Sequence, residues 1–233
     1  MKINIFSIPE INPAKLSVKD SRLDEVDKIT KAKKKTYIQV ELVAESSILE
    51  SDAILVAKDA FTDLILKDLE FVETRLERSE GEQEKALLEK IKNNLEKEEV
   101  VFKQIFTAQE KEILSGYGLL TNRPVVVAQI PEMQDLNNLL TKAVKEGGFI
   151  SFFTTGEKET RAWLIKQGST AWEASGTIHS DIQKGFIRAE IISFSDFIQA
   201  GGETQAKQAG KLRLEQKDYI MQDADLTNFR FSK

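Results

Sequence analysis

Two matched apolar stripes, inserted between runs that read as buried strands, constrain this chain more than any other feature. Phe61, Ile65, Leu69, Val72 and Leu76 step by four and three, which sets them on one face of a helix of about four turns. Leu87, Leu88, Ile91 and Leu95 repeat on a second face after Gly81, where Ser79 and Glu82 stand at capping-box spacing. The pairing predicts two antiparallel helices. Thr107 and Glu110 have the spacing of another capping box before Ile113 and Leu114, and Gly116 and Gly118 end the helical stretch. Around this insertion lie Lys2–Phe6, 37–43, Ala53–Ala57 and 124–130. These are short, β-branched and continuous rather than alternating, the pattern of buried parallel strands. Helical patterns at 23–29 and 136–144 supply cover for an α/β sheet. Gly147-Gly148 marks a boundary. Beyond it Phe149–Thr154, 160–165, Phe186–Ile192 and Leu226–Phe231 read as strands, interleaved with short helices at 171–175 and 203–209, which suggests a small α+β domain.

A length of 233 residues suits two compact units better than one or three. The expected organisation is an α/β core over 1–60 and 116–147, a helical hairpin over 61–115, and a second domain over 148–233. Hydrophobic residues at 41% and charged residues at 30% give a soluble globular balance. A net charge of −5 argues against a uniformly basic coat for nucleic acid. That charge is local. Residues 61–115 hold 14 acids and 9 bases, whereas acids and bases balance in each of the other two regions. The acidic hairpin reads as a solvated spacer or as a contact arm for a partner protein. The absence of cysteine removes thiol catalysis, disulfides and thiolate metal sites, and the single His179 leaves no histidine cluster for a zinc enzyme. No run approaches 18 apolar residues, and the stretch from Met1 to Glu10 turns polar too soon for a signal peptide. A cytoplasmic protein without a membrane role is expected.

The carboxy-terminal region is where the residues become specific. Gly176-Thr-Ile-His-Ser-Asp181 and Lys184-Gly-Phe-Ile-Arg-Ala-Glu-Ile191 resemble the TGS domain of the YchF-type, Obg-related P-loop NTPases. Gly201-Gly-Glu203, Ala209-Gly-Lys-Leu-Arg-Leu-Glu215, Lys217-Asp-Tyr219, Asp223-Ala-Asp225 and Phe229-Arg-Phe231 continue the likeness in order and spacing. The resemblance implies a β-grasp fold for this unit. Ala224 departs from it, because the family usually carries glycine between the two aspartates. Ser51-Asp-Ala-Ile-Leu-Val56, Asp68-Leu-Glu70, Arg75-Leu-Glu-Arg78, Leu119-Leu-Thr121 and Asp20-Ser-Arg-Leu-Asp24 extend the resemblance over the amino-terminal part. The whole chain is therefore similar to a family whose full members are adenine-nucleotide hydrolases that associate with ribosomes. The implied fold class is α/β, a reduced P-loop-NTPase-like parallel sheet with an inserted antiparallel hairpin, followed by an α+β β-grasp TGS domain.

The nucleotide motifs are altered. A P-loop needs G-x-x-x-x-G-K-[ST], whose glycine backbone cradles phosphate while Lys reaches the β/γ oxygens and the hydroxyl holds Mg²⁺. Ser7-Ile-Pro-Glu-Ile-Asn-Pro-Ala14 stands at the matching point, without either glycine, the Lys or the Ser. Glu10 would repel phosphate, and Pro13 has no N–H to offer. Only residues 15–19 separate this loop from the Asp20 match, so the helix and the switch I strand are read as deleted. At the Mg²⁺-linked Asp-x-x-Gly motif the aligned residues are Ala44 and Ser47. The family's Asn-x-x-Glu base-recognition motif is represented by Gln129-Ile-Pro-Glu132, so Gln129 and Glu132 are the remnant of a base pocket.

Because phosphoryl transfer rests on those parts, the sequence predicts a non-catalytic pseudo-NTPase with no cofactor. The alternative is weak ATP or GTP binding with Mg²⁺ and slow residual hydrolysis. Lys158, Arg161, Lys166, Lys184, Arg188, Lys207, Lys211 and Arg213, with Trp163 and Trp172, are candidate contacts to RNA or a partner, against a reading as scattered surface charge and core tryptophan. His179 is expected to be structural rather than a general base. The basic run of Lys31, Lys33, Lys34 and Lys35 is expected to end a helix rather than meet phosphate. Expected partners are the ribosome, RNA or a translation-associated protein. Losing a helix and a strand from such a core would also expose apolar surface or a sheet edge, which makes a homo-oligomer an expectation too.

Overall fold

A computed structural model describes residues 1–129 and 135–232, and the chain divides into two compact units. One comprises 1–16 and 40–147, the other 17–39 and 148–233. The strands are β1 (Lys2–Phe6), β2 (Ala14–Val18), β3 (Lys35–Thr36), β4 (Ile38–Val43), β5 (Ala53–Ala57), β6 (Val125–Ala128), β7 (Phe149–Thr154), β8 (Thr160–Lys166), β9 (Phe186–Ile192), β10 (Arg213–Glu215) and β11 (Leu226–Phe231). The helices are α1 (Ser21–Thr30), α2 (Phe61–Arg78), α3 (Glu82–Leu95), α4 (Ala108–Ser115), α5 (Leu136–Glu146), α6 (Ala171–Ile178), α7 (Ser180–Lys184), α8 (Phe194–Ala200) and α9 (Glu203–Gln208).

The first sheet has the order β2-β4-β1-β5-β6, with β1 parallel to β4 and β5, and β5 parallel to β6. Ile3, Ile54, Leu55 and Val56 are fully buried, as continuous apolar runs require. Helix α5 packs on β5 and β6. Helices α2 and α3 fold back on each other through Leu64, Val72, Leu88, Ile91 and Leu95, in one cluster with Phe6 and Val125. The expected box at Ser79 and Glu82 does not form. Ser79 follows α2, and its hydroxyl donates instead to Glu84 at 2.7 Å, while Gly81 precedes α3 with no side-chain cap. Thr107 and Glu110 do close a reciprocal box at α4.

The second sheet has the order β10-β9-β11-β7-β8-β3 and mixes directions. β9 is antiparallel to β10 and β11, β7 is antiparallel to β8, and β7 with β11 and β3 with β8 are parallel. Phe152, Ala174, Ala189 and Ile191 centre its core. The expected boundaries need one correction. Residues 17–39, grouped by sequence with the first core, belong to the second unit, because β3 pairs with β8 and α1 packs on β8 and α8. A second correction concerns the strand read as deleted. The chain has one there, since Ala14–Val18 forms β2 beside β4. The lysine run is also split: Lys31 ends α1 at φ 50°, whereas Lys35 opens β3.

Candidate functional site

The end of β1 is where a phosphate loop would begin. The chain leaves Phe6, turns with Ser7 at φ 52°, buries Ile8, closes a turn from Ile11 N–H to Ile8 C=O at 3.2 Å and re-enters the sheet at Ala14. No helix follows this loop, so no helix N-terminus presents its N–H groups and positive dipole end there. Pro9 and Pro13 remove two more donors. After β4, Ala44 offers a carbonyl that accepts from the Asn4 amide at 2.7 Å, and Ser47 lies within a 3₁₀ turn. Lys67, whose ammonium lies 4.7 Å from the centre of the Phe6 ring, is engaged by Glu45 at 2.8 Å. Among the described residues, no group of three or more His, Asp or Glu side chains is placed to hold a metal ion. Gln129 follows β6 directly and is exposed. Glu132 lies outside the described residues.

The segment resembling the stretch after switch I has a structural task in the second unit. Asp20 caps α1 by accepting from Arg22 N–H at 2.9 Å, and the Arg22 guanidinium bridges Asp20 (2.8 Å) to Asp223 (2.7 Å). Asp223 also accepts from Ser151 N–H at 3.1 Å, which holds the turn that carries Ala224 at φ 65°. His179 caps α7, its Nδ1 accepting from Asp181 N–H at 3.1 Å.

The eight basic candidates do not form one surface. Lys207 pairs with Glu203 at 2.6 Å and Lys211 with Asp196 at 3.0 Å. Arg213 donates to the Tyr219 hydroxyl at 3.1 Å and lies 3.8 Å from Asp225. Arg161 stacks over Trp163 at 4.0 Å, on the far side of the sheet from β10. Four strand spacings separate β8 from β10, about 19 Å. Arg188 stands opposite Arg230, and Arg213 opposite Ile191, so alternation along β9 puts Arg188 and Arg213 on opposite faces. Lys158, Lys166 and Lys184 are exposed at the turn before β8, the end of β8 and the end of α7.

A cluster that sequence reasoning missed lies on the helical pair. A groove of about 790 Å³ is lined by Lys67, Phe71, Arg75, Arg78, Glu84 and Tyr117, among others. Glu84 accepts from Ser79, Tyr117 and Arg75, whose donors hold its carboxyl down to about 2. Burial, and then the bond to Glu84, push the Tyr117 phenol up to about 12. Phe71 meets Tyr117 edge to face at 5.6 Å, and Arg75 lies 5.8 Å from the Tyr117 ring centre. Arg78 has no partner among the described residues. The signal was present as Lys67, Phe71, Arg75 and Arg78, a stripe at helical spacing on an otherwise acidic insertion.

Comparison with known proteins joins the two units. A family model named YchF-GTPase_C, "Protein of unknown function (DUF933)", matches residues 149–232. Over a longer stretch, the "Ribosome-binding ATPase YchF" of Haemophilus ducreyi is 33% identical, covering 73% of this chain and 64% of that protein. The chain belongs to the YchF family. Its YchF relative from Pasteurella multocida is 40% identical over 66% of this chain and 42% of that protein. The chain thus spans less than two thirds of the length of these curated YchF relatives. The YchF GTPase of Schizosaccharomyces pombe superposes with a TM-score of 0.78, covering 99% of this chain and 97% of that one at 20% identity, which shows a shared fold. That fold is mixed α/β, with parallel and antiparallel sheets.

Proposed function

We propose that this chain is a YchF-type binding protein that associates with the ribosome, RNA or a translation-associated partner and does not turn over nucleotide. The observation that carries the reading is the course of residues 7–14, which return as strand β2 where phosphate binding calls for a helix N-terminus. Ala44 and Ser47 add no carboxylate at the Mg²⁺ position. The relatives' printed name, ribosome-binding ATPase, supports the choice of partner. In this reading the second unit is a TGS module of β-grasp type and α2 with α3 is an inserted contact hairpin. Its groove gathers bases and aromatics around Arg78, which has no partner among the described residues.

Co-sedimentation at moderate salt tests the association: the chain is expected in the ribosomal pellet, and recovery only in the supernatant would refute it. The competing reading is a weak ATP- or GTP-binding protein with residual hydrolysis, favoured by Gln129 at the carboxyl end of β6, where open α/β sheets commonly receive ligands. Calorimetry with ATP, ADP and GTP plus Mg²⁺ separates the two. No binding tighter than millimolar is expected, and a submillimolar dissociation constant would restore the enzyme reading.

A further inference from the structure

On the exposed side of α2, Lys67, Phe71, Arg75 and Arg78 follow one another at helical spacing along the groove of about 790 Å³, which Ile113 and Tyr117 also line. From Lys67 to Arg78 the helix rises about 16 Å, a length that roughly five residues of extended chain would span. The lining is ordered before anything binds. Glu84 accepts from Arg75 at 2.8 Å and from the Tyr117 hydroxyl, and Phe71 rests edge to face on Tyr117. Side chains already fixed in this way lose little freedom when a partner arrives.

The charges of the groove select among partners. Lys67 is matched by Glu45 at 2.8 Å and Arg75 by Glu84 at 2.7 Å, whereas Arg78, in the last turn of α2, has no partner among the described residues. Phe71 is 38% exposed, and the exposed Leu49 lies beside Gly118, next to Tyr117. The groove thus offers apolar surface along its length and one open positive charge at its end. A polynucleotide calls for the reverse, a row of cations for successive phosphates. Here it would meet Glu70 within the groove and Glu77 and Glu80 close to Arg78 in sequence, in the segment that carries the chain's whole net charge. A polypeptide backbone is neutral, so it can present a single carboxylate without that repulsion.

Resting on the reading of α2 with α3 as a contact hairpin, we propose that this groove receives a short extended protein segment bearing an apolar side chain and, roughly three residues further on, one Asp or Glu. The apolar side chain lies against Phe71 and Tyr117, and the carboxylate accepts from the fork of Arg78 donors. The spacing follows from the helix, since Phe71 and Arg78 are separated by a rise of about 10 Å.

Amide NMR of the isotope-labelled, purified chain, titrated with the peptide acetyl-Ser-Phe-Ser-Ser-Glu-Ser-amide, tests the proposal. Saturable shifts are expected at Phe71, Arg78, Gly116 and Tyr117. Replacing the peptide's Glu by Gln, or Arg78→Glu in the chain, should each weaken binding at least about fivefold. The peptide change leaves the protein untouched, and circular dichroism checks that the variant folds. No groove shifts at millimolar peptide, or equal binding of the Glu and Gln peptides, would overturn the proposal. An oligouridylate that shifts these amides and displaces the peptide would overturn it in favour of RNA. No ribosome is present in the titration, so the two readings fail separately: a chain that pellets with ribosomes yet ignores the peptide loses only the peptide site, and one that binds the peptide yet stays in the supernatant loses only the ribosomal association.

Discussion

Ala224 shows how one residue can hold two opposing terms. It adopts φ 65° while 1% exposed, and its N–H donates to Ser151 C=O at 2.7 Å. A left-handed conformation costs an L-residue roughly 1–2 kcal/mol, whereas losing a buried methyl costs about 0.8 kcal/mol. Ala224→Gly should therefore leave stability within about 1 kcal/mol of the parent, and Ala224→Val should cost more than about 2 kcal/mol. Urea unfolding at pH 7 distinguishes the two. Glu190 is a second such residue. Burial raises its carboxyl, but hydrogen bonds from Asn228 (2.7 Å) and Arg230 (2.9 Å) outweigh it and hold the group below its ordinary value. A native carboxylate titrating below its unfolded value stabilises fully above the unfolded pKa, about 4.3, and loses that contribution as pH falls through the native value. The stability advantage of the parent over Glu190→Gln should accordingly narrow from pH 7 to pH 3. An advantage that grows on acidification would contradict this assignment.

At the scale of elements, Asp68 ties α2 to the segment that re-enters the sheet. Its carboxylate is 1% exposed and accepts from Leu120 N–H (2.6 Å), Thr121 N–H (2.7 Å) and the Thr121 hydroxyl (2.7 Å). Asp68→Ala would leave these buried donors unpaired and should cost on the order of 2–4 kcal/mol, measured by denaturant unfolding. An effect below about 1 kcal/mol would mean that water replaces the carboxylate. The apolar stripe on α2 was legible from periodicity, because helical spacing directly encodes which face is buried. Asp68 was not, since a carboxylate on that face reads as surface until its donors are located 52 and 53 residues away. β2, β3 and β10 also escaped notice. They are short edge strands whose pairing, rather than their composition, makes them strands. The Ser79 box failed for a related reason: Glu84, one turn-residue pair further on, offers the hydroxyl a carboxylate that Tyr117 and Arg75 already position.

For the whole molecule, the absence of the motif's glycines, Lys and Ser from residues 7–14 was legible because it is a matter of residue type, whereas their course from β1 into β2 was not. The allegiance of 17–39 was not legible, because it depends on β3 meeting β8 across more than a hundred residues. The eight basic candidates illustrate the same gap: alternation and ion pairing disperse them, while the bases of α2 gather with aromatic side chains in one groove. If the helical pair contacts the partner, Arg78→Glu should reduce ribosome pelleting several-fold, a loss on the order of 1 kcal/mol, without changing the melting temperature. Unchanged pelleting would move the contact elsewhere. The most direct test of a YchF-type protein that binds without turning over nucleotide is ribosome co-sedimentation with and without ATP and Mg²⁺. The account predicts the same pelleted fraction in both, whereas no pelleting at all, or pelleting that changes with ATP, would contradict it.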